Sequence, residues 1–234
     1  MIRLDKYLSD MGIGTRSELK KAIRAGKVYV DQICVKKSEE KIDPDKQTVT
    51  YDGKEITYQK MEYYMLHKPA GVVSATKDTK EKTVIDLIDG VKRKDLFPVG
   101  RLDKDTEGLL LITNDGALAH RLLTPGKHVD KTYFARINGK VTEDDIIRFK
   151  EGLDIGDEEP TMPAMLEILS SDSISEIKVT IQEGRYHQVK RMFEAVDKKV
   201  IYLKRLSMGN LLLDESLALG EFRPLTEKEL ESLC

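Results

Sequence analysis

The densest cluster of reactive side chains in the 234-residue chain lies between Gly100 and Gly116, GRLDKDTEGLLLITNDG, a charged turn that runs into an apolar strand and closes on Asn114-Asp115-Gly116. Carboxylates at Asp103, Asp105 and Glu107, followed by Gly108, match the opening of a calcium loop, whose alternating oxygens would surround the ion. The match stops there. The ninth position of such a loop would be Leu111, and the twelfth, which needs a bidentate glutamate, is Asn114. Half the ligands are missing, so no metal is expected. Spacing alone does not exclude a plainer reading, in which Arg101, Asp103, Lys104 and Asp105 simply pair on a surface turn.

The remaining reactive residues are sparse. His67, His120 and His128 are scattered and show no metal-ligand spacing, and His187 reads as the first residue of a helix, hydrogen-bonded locally. Cys34 and Cys234 are the only cysteines, too few for a disulfide framework or a thiolate zinc site, and neither is given a role.

Periodicity indicates the elements that must hold these residues. Leu4, Leu8 and Met11 recur at helical spacing before Gly12 and Gly14 end the helix. A second helix starts at a capping box, Thr15 with Glu18, and buries Leu19, Ala22 and Ile23. At about 100° per residue, Arg16, Lys20 and Arg24 share its opposite face and form a cationic stripe. Taken from this helix alone, the stripe is a solvated face. Val28, Val30 and Ile33, with Asp31-Gln32 between them, predict a short hairpin.

From Met61 the pattern changes to short strands with Gly, Pro and Asn-Asp punctuation, so the expected domains are 1–58 and 61–234. Strands are expected at Tyr63 to Leu66, Val72 to Ser74, Leu109 to Thr113, Thr132 to Ile137 and Ile177 to Gln182. Helices are expected at Thr83 to Ile88, Ala117 to Leu123, Glu143 to Lys150 and His187 to Val196. Irregular connections between the strands argue for an α+β fold: a mixed, mainly antiparallel sheet with flanking helices behind a small N-terminal domain.

Composition bounds the partners. With 40% hydrophobic and 34% charged residues, and no apolar run of membrane-spanning length, a globular, cytoplasmic protein without a membrane is expected. The net charge of −2 hides local asymmetry: residues 1–27 and 180–210 each hold seven Lys/Arg against three Asp/Glu, while 151–179 hold only Lys178 against eight acids. Binding to a polyanion would therefore be local.

The motif G-R-L-D-x-x-T-x-G-L-L-L-x-T-N-D-G at 100–116 resembles the catalytic signature of the pseudouridine synthases of the small-subunit ribosomal RNA type (the RsuA group). Lys68-Pro69-Ala70-Gly71, Lys131-Thr132-Tyr133 and the run from Glu183 to Met192, EGRYHQVKRM, follow in that family's order. The first 58 residues resemble the small S4-type RNA-binding domain. The resemblance implies an enzyme that isomerises a uridine without metal or cofactor. It makes Asp103 the nucleophile, Arg185 the cation that keeps it ionised, and Tyr133 a flat face for the uracil and an aid to proton transfer. Arg101 would fill the space left by a flipped base. Lys68, Gln188, Lys190 and Arg191 join Arg16, Lys20 and Arg24 as expected RNA contacts. Without the motif, Tyr133 reads as an ordinary strand aromatic.

The expected partner is ribosomal RNA, 16S in a small-subunit assembly intermediate, bound by a monomer. A synthase for 23S RNA and a non-catalytic rRNA-binding protein are the alternatives. Against the latter, a binding protein gains nothing from a carboxylate at 103 that would repel nearby phosphates.

Overall fold

A computed structural model describes residues 1–233, so Cys234 lies outside the described residues, and the chain divides into two compact units. The first comprises Met1–Glu62 and Asp89–Leu96; the second comprises Tyr63–Ile88 and 97–233. Residues 89–96 thus return to the first unit, which a single cut along the sequence cannot represent.

The first unit contains β1 (Ile2–Arg3), α1 (Leu4–Asp10), α2 (Arg16–Arg24), β2 (Val28–Val30), β3 (Ile33–Cys34), β4 (Lys41–Ile42), β5 (Val49–Tyr51) and β6 (Lys54–Glu55). β1 pairs with β4, and the others form a sheet in the order β3-β2-β5-β6. The capping box forms as its spacing predicts: Glu18 N–H donates to the Thr15 hydroxyl, and Thr15 N–H donates to the Glu18 carboxylate at 2.8 Å. Asp31 and Gln32 both take positive φ, 49° and 67°, the twist a two-residue hairpin needs. Val28 and Val30 are buried with Leu4, Leu8, Leu19 and Ile23, whereas Ile33 is exposed because β3 is the edge of the sheet. The returning segment is anchored by Arg93, a buried guanidinium that pairs with Asp95 and with Asp10 (3.5 Å) and lies over the Tyr58 ring.

The second unit contains β7 (Tyr63–Lys68), β8 (Phe97–Pro98), β9 (Glu107–Thr113), α3 (Gly116–Leu123), β10 (Lys131–Asn138), α4 (Glu143–Glu151) and β11 (Met165–Ser170). It continues with β12 (Ile174–Ile181), α5 (Gln188–Glu194), β13 (Lys199–Met208), β14 (Leu211–Leu212), β15 (Phe222–Pro224) and α6 (Glu227–Glu231). The sheet order is β11-β12-β10-β13-β9-β7-β15, with β14 on β13 and β8 on β9. Only β13 and β9 run parallel within it, so the expected mixed, mainly antiparallel sheet is found.

Two local expectations are corrected. Val72–Ser74 is not a strand, since Val73 makes only an isolated bridge to Thr83. Ile85–Leu87 is a single 3₁₀ turn rather than a helix from Thr83. The ten-residue strand β13, at the centre of the sheet, was not anticipated because Lys199, Lys204 and Arg205 interrupt its apolar pattern. Arg205 is nevertheless buried, its Nε donating to Leu109 O at 2.8 Å. β13 reaches β9 where Gly108 sits, and a Cβ there would lie 2.2 Å from Arg205 O, so only glycine lets the strands meet.

Candidate active site

The turn between β8 and β9 carries Arg101 to Thr106, and the Lys68-Pro69-Ala70-Gly71 segment leaving β7 grips it. Lys68 is fully buried, and its ammonium donates to the carbonyl oxygens of Pro69 (3.0 Å), Asp103 (3.1 Å), Lys104 (3.3 Å) and Thr106 (2.8 Å). Gly71 N–H donates to Lys104 O at 2.7 Å. Ser74 Oγ donates to Leu102 O (2.8 Å) and accepts from Leu102 N–H (3.1 Å). Backbone oxygens that a loop would leave to water are thus held by one buried cation, which fixes where Asp103 projects. Burial lowers the Lys68 ammonium to about 8, opposed by the neighbouring Asp105, Asp103 and Glu107. Lys68 was expected to touch RNA; it is an internal clamp instead.

Asp103, Arg101, Tyr133, Arg185, His187 and Lys190 line one pocket. Asp103 is partly buried and faces two cation-forming groups from the far end of the chain: Lys190 Nζ at 3.0 Å from Oδ2 and His187 Nε2 at 3.6 Å from Oδ1. Lys190 also meets Asp105 at 2.6 Å. Burial alone would lower the Lys190 ammonium, but its hydrogen bonds to Asp105 and Asp103 prevail and raise it. For Asp105, burial works upward, and the bond to Lys190 outweighs it and draws the carboxyl down. The site therefore holds two carboxylates around one ammonium.

This corrects the expected pairing of Asp103 with Arg185. The Arg185 guanidinium donates to Glu183 (2.9 Å), Asp157 (3.4 Å), Glu159 O (2.6 Å) and Pro160 O (2.8 Å), and so staples the acidic segment 157–160. Gln188, expected on RNA, is buried at the start of α5; its side chain accepts from Arg185 N–H (2.9 Å) and donates to Glu183 (2.7 Å). Arg191 donates to Asp157, Ile155 O and Tyr186 O.

His187 does not bond locally through its side chain. It caps α5 in a left-handed conformation (φ 49°) that turns its ring toward Asp103. Tyr133 projects from β10 and is nearly buried. Arg101 is exposed, and its side chain makes no ion pair or hydrogen bond among the described residues; the same holds for Arg16, Lys20 and Arg24 on α2. Sequence reasoning underrated His187 and gave Lys190 a phosphate rather than a carboxylate. The signal was their nearness in sequence: His187 caps α5 and Lys190 lies three positions on, in its first turn, and both side chains reach Asp103. Among the described residues no cluster of His, Cys, Asp and Glu has the geometry to hold a metal ion, and no helix is long and apolar enough to cross a membrane.

Compared with known proteins, residues 62–195 match the family described as RNA pseudouridylate synthase, and residues 2–47 match the S4 domain. The chain is 49% identical over 234 residues to an uncharacterised RNA pseudouridine synthase of Bacillus subtilis, YtzG, covering 99% of this chain and 98% of the relative. It is 42% identical over 233 residues to ribosomal small subunit pseudouridine synthase A of Vibrio cholerae, covering 99% of each. A crystal structure of a pseudouridylate synthase aligns over 100% of both chains with a TM-score of 0.71 and 39% identity.

Proposed function

This chain belongs to the RNA pseudouridylate synthase family and carries an S4 domain, and from that premise we propose that it converts one uridine of 16S ribosomal RNA to pseudouridine, with Asp103 as nucleophile. The observation that carries the assignment is a clamped carboxylate at a pocket, 3.0 Å from Lys190 and accompanied by Tyr133. A nucleophile must stay ionised while the base excludes water from it, and the Lys190 ammonium supplies that stabilisation at short range. Asp103 bonds to the nucleotide as the N1–C1′ bond breaks, the uracil turns, C5–C1′ forms as the bond to Asp103 is released, the C5 proton leaves and N1 takes one. Nothing is oxidised or reduced, so a nucleophile and proton transfer suffice. Tyr133 offers its ring to the uracil, and Arg101, exposed and without an ion-pair partner among the described residues, suits the gap left by a flipped base.

Likeness to the small-subunit enzyme of Vibrio cholerae supports 16S RNA as the substrate. A monomer acting on an assembly intermediate, before the uridine is covered by protein, fits that substrate. The test is tritium release from 16S RNA transcribed with [5-³H]uridine, together with mapping of pseudouridines in 16S and 23S RNA from cells with and without the chain. One position in 16S RNA should lose its pseudouridine. Asp103→Asn should release no tritium and Asp105→Asn should remain active; turnover by folded Asp103→Asn at the unmodified rate would refute the nucleophile.

A further inference from the structure

We propose that Tyr186 is a stacking platform for a nucleobase of the substrate RNA that neighbours the target uridine. The inference rests on the reading of the chain as an RNA-modifying enzyme and adds a binding subsite to it. Tyr186 is the most exposed aromatic side chain among the described residues, 76% accessible. Its ring lies flat on His187, with centroids 3.8 Å apart and planes at 17°. His187 in turn lines the pocket and faces Asp103 at 3.6 Å. From the pocket outward the order is therefore Asp103, the His187 ring, the Tyr186 ring and solvent.

Hydrogen bonds hold the backbone under the platform. Arg191 Nη1 donates to Tyr186 O at 3.1 Å, Arg191 N–H donates to His187 O at 3.0 Å, and the Gln188 side chain holds Arg185 N–H at 2.9 Å. His187 sits in a backbone conformation sparsely used by residues with a side chain, and that conformation is what brings the two rings together. Nothing in the fold requires an aromatic at 186: the ring buries little, and its hydroxyl has no hydrogen-bond partner among the described residues.

A uridine drawn out of its helix leaves neighbouring bases without a stacking partner. A fixed aromatic face beside the pocket replaces that partner, and it tolerates any base because every base has a π-face.

The experiment measures RNA affinity in the full-length Asp103→Asn background, where no turnover intervenes, with a stem-loop of 16S RNA containing the target. Tyr186→Leu keeps an apolar cover on His187 but has no aromatic face, and should bind about tenfold more weakly. Tyr186→Trp, with a larger face, should bind at least as tightly as Tyr186. In abasic substitutions scanned on both sides of the target, one position should cost Tyr186 the same tenfold and cost Tyr186→Leu nothing further. In the active enzyme Tyr186→Leu should raise KM with little change in kcat. Unchanged affinity in Tyr186→Leu, equal losses at every abasic position in both proteins, or a fall in kcat at constant KM would each overturn the platform, the last by reducing Tyr186 to a prop for His187. Failure of the enzyme reading would appear separately, as absent tritium release from the unmodified protein.

Discussion

Lys190 serves two carboxylates with a single ammonium, and that sharing sets the expected effect of changing it. Lys190→Met leaves Asp103 and Asp105 without their cation, so the proposed nucleophile loses its nearest stabilising charge as the base approaches. Removal of one preorganised electrostatic partner costs on the order of a hundredfold in kcat. Lys190→Arg, which keeps the charge and can reach both carboxylates, should recover part of the rate. Tritium release measured across a range of RNA concentrations decides the matter: a raised KM at constant kcat would make Lys190 a phosphate ligand instead. Lys68 acts differently, through backbone. Lys68→Met removes that donor from four carbonyl oxygens; Lys104 O keeps Gly71 N–H and Asp103 O keeps Thr106 N–H, while the buried Thr106 O loses its ammonium donor at a cost of about 1–3 kcal/mol, offset in part by no longer burying a charge. Melting temperature and tritium release should fall together; an unchanged melt with full activity would mean that other donors reach the loop.

At the scale of elements, the C-terminal segment is held by one guanidinium. Arg223 on β15 meets Asp214 at 2.7 Å and Glu229 of α6 at 2.7 Å, and Glu229 also closes a capping box with Thr226. Hydrogen bonds from Ser216 and then Arg223 bring Asp214 down to about 2; for Glu229 the bond from Arg223 comes first, and it too falls to about 2. Both carboxyls are depressed relative to the unfolded chain. Their stabilisation is therefore complete above the ordinary carboxylate values and is lost as pH falls through about 2. Protection of the α6 amides, taken relative to the intrinsic exchange rate at each pH, should thus fall progressively from about pH 4.5 downward, and Arg223→Met should show low protection already at neutral pH with much less dependence on acid. If α6 exchanges alike in both proteins across this range, the clasp is not what holds it.

At the scale of the whole chain, the first unit presents Arg16, Lys20 and Arg24 on α2, exposed and without ion-pair partners among the described residues. Deleting the N-terminal residues is a poor test of that stripe, because Arg93 would lose Asp10 and the Tyr58 ring. Replacing the three cations with Gln leaves the capping box and the buried stripe of α2 intact. Each phosphate that the stripe no longer neutralises should flatten the slope of log affinity against log salt by roughly 0.7 to 0.9. The triple variant should therefore bind RNA more weakly at low salt, with an unchanged melting temperature and unchanged kcat. An unaltered salt slope would leave the stripe a solvated face.

Local features were legible in the sequence because their causes are local. Thr15 with Glu18 started α2, Asp31-Gln32 turned the hairpin, and the Asp103 turn with its apolar continuation stood out by residue type. The order of the four motifs was enough to indicate the family. The partners of those motifs were decided by tertiary structure. Lys190 reaches Asp105 across 85 positions and Lys68 reaches Thr106 across 38, and no periodicity encodes which of several cations a fold will bring to a carboxylate. Arg185 stands in the same motif as Lys190, yet its guanidinium is bound to the acidic segment 157–160. β13 escaped notice for a related reason: a strand inside a sheet can bury an arginine once a neighbouring carbonyl accepts from it, and that carbonyl, Leu109 O, exists only after β9 is in place.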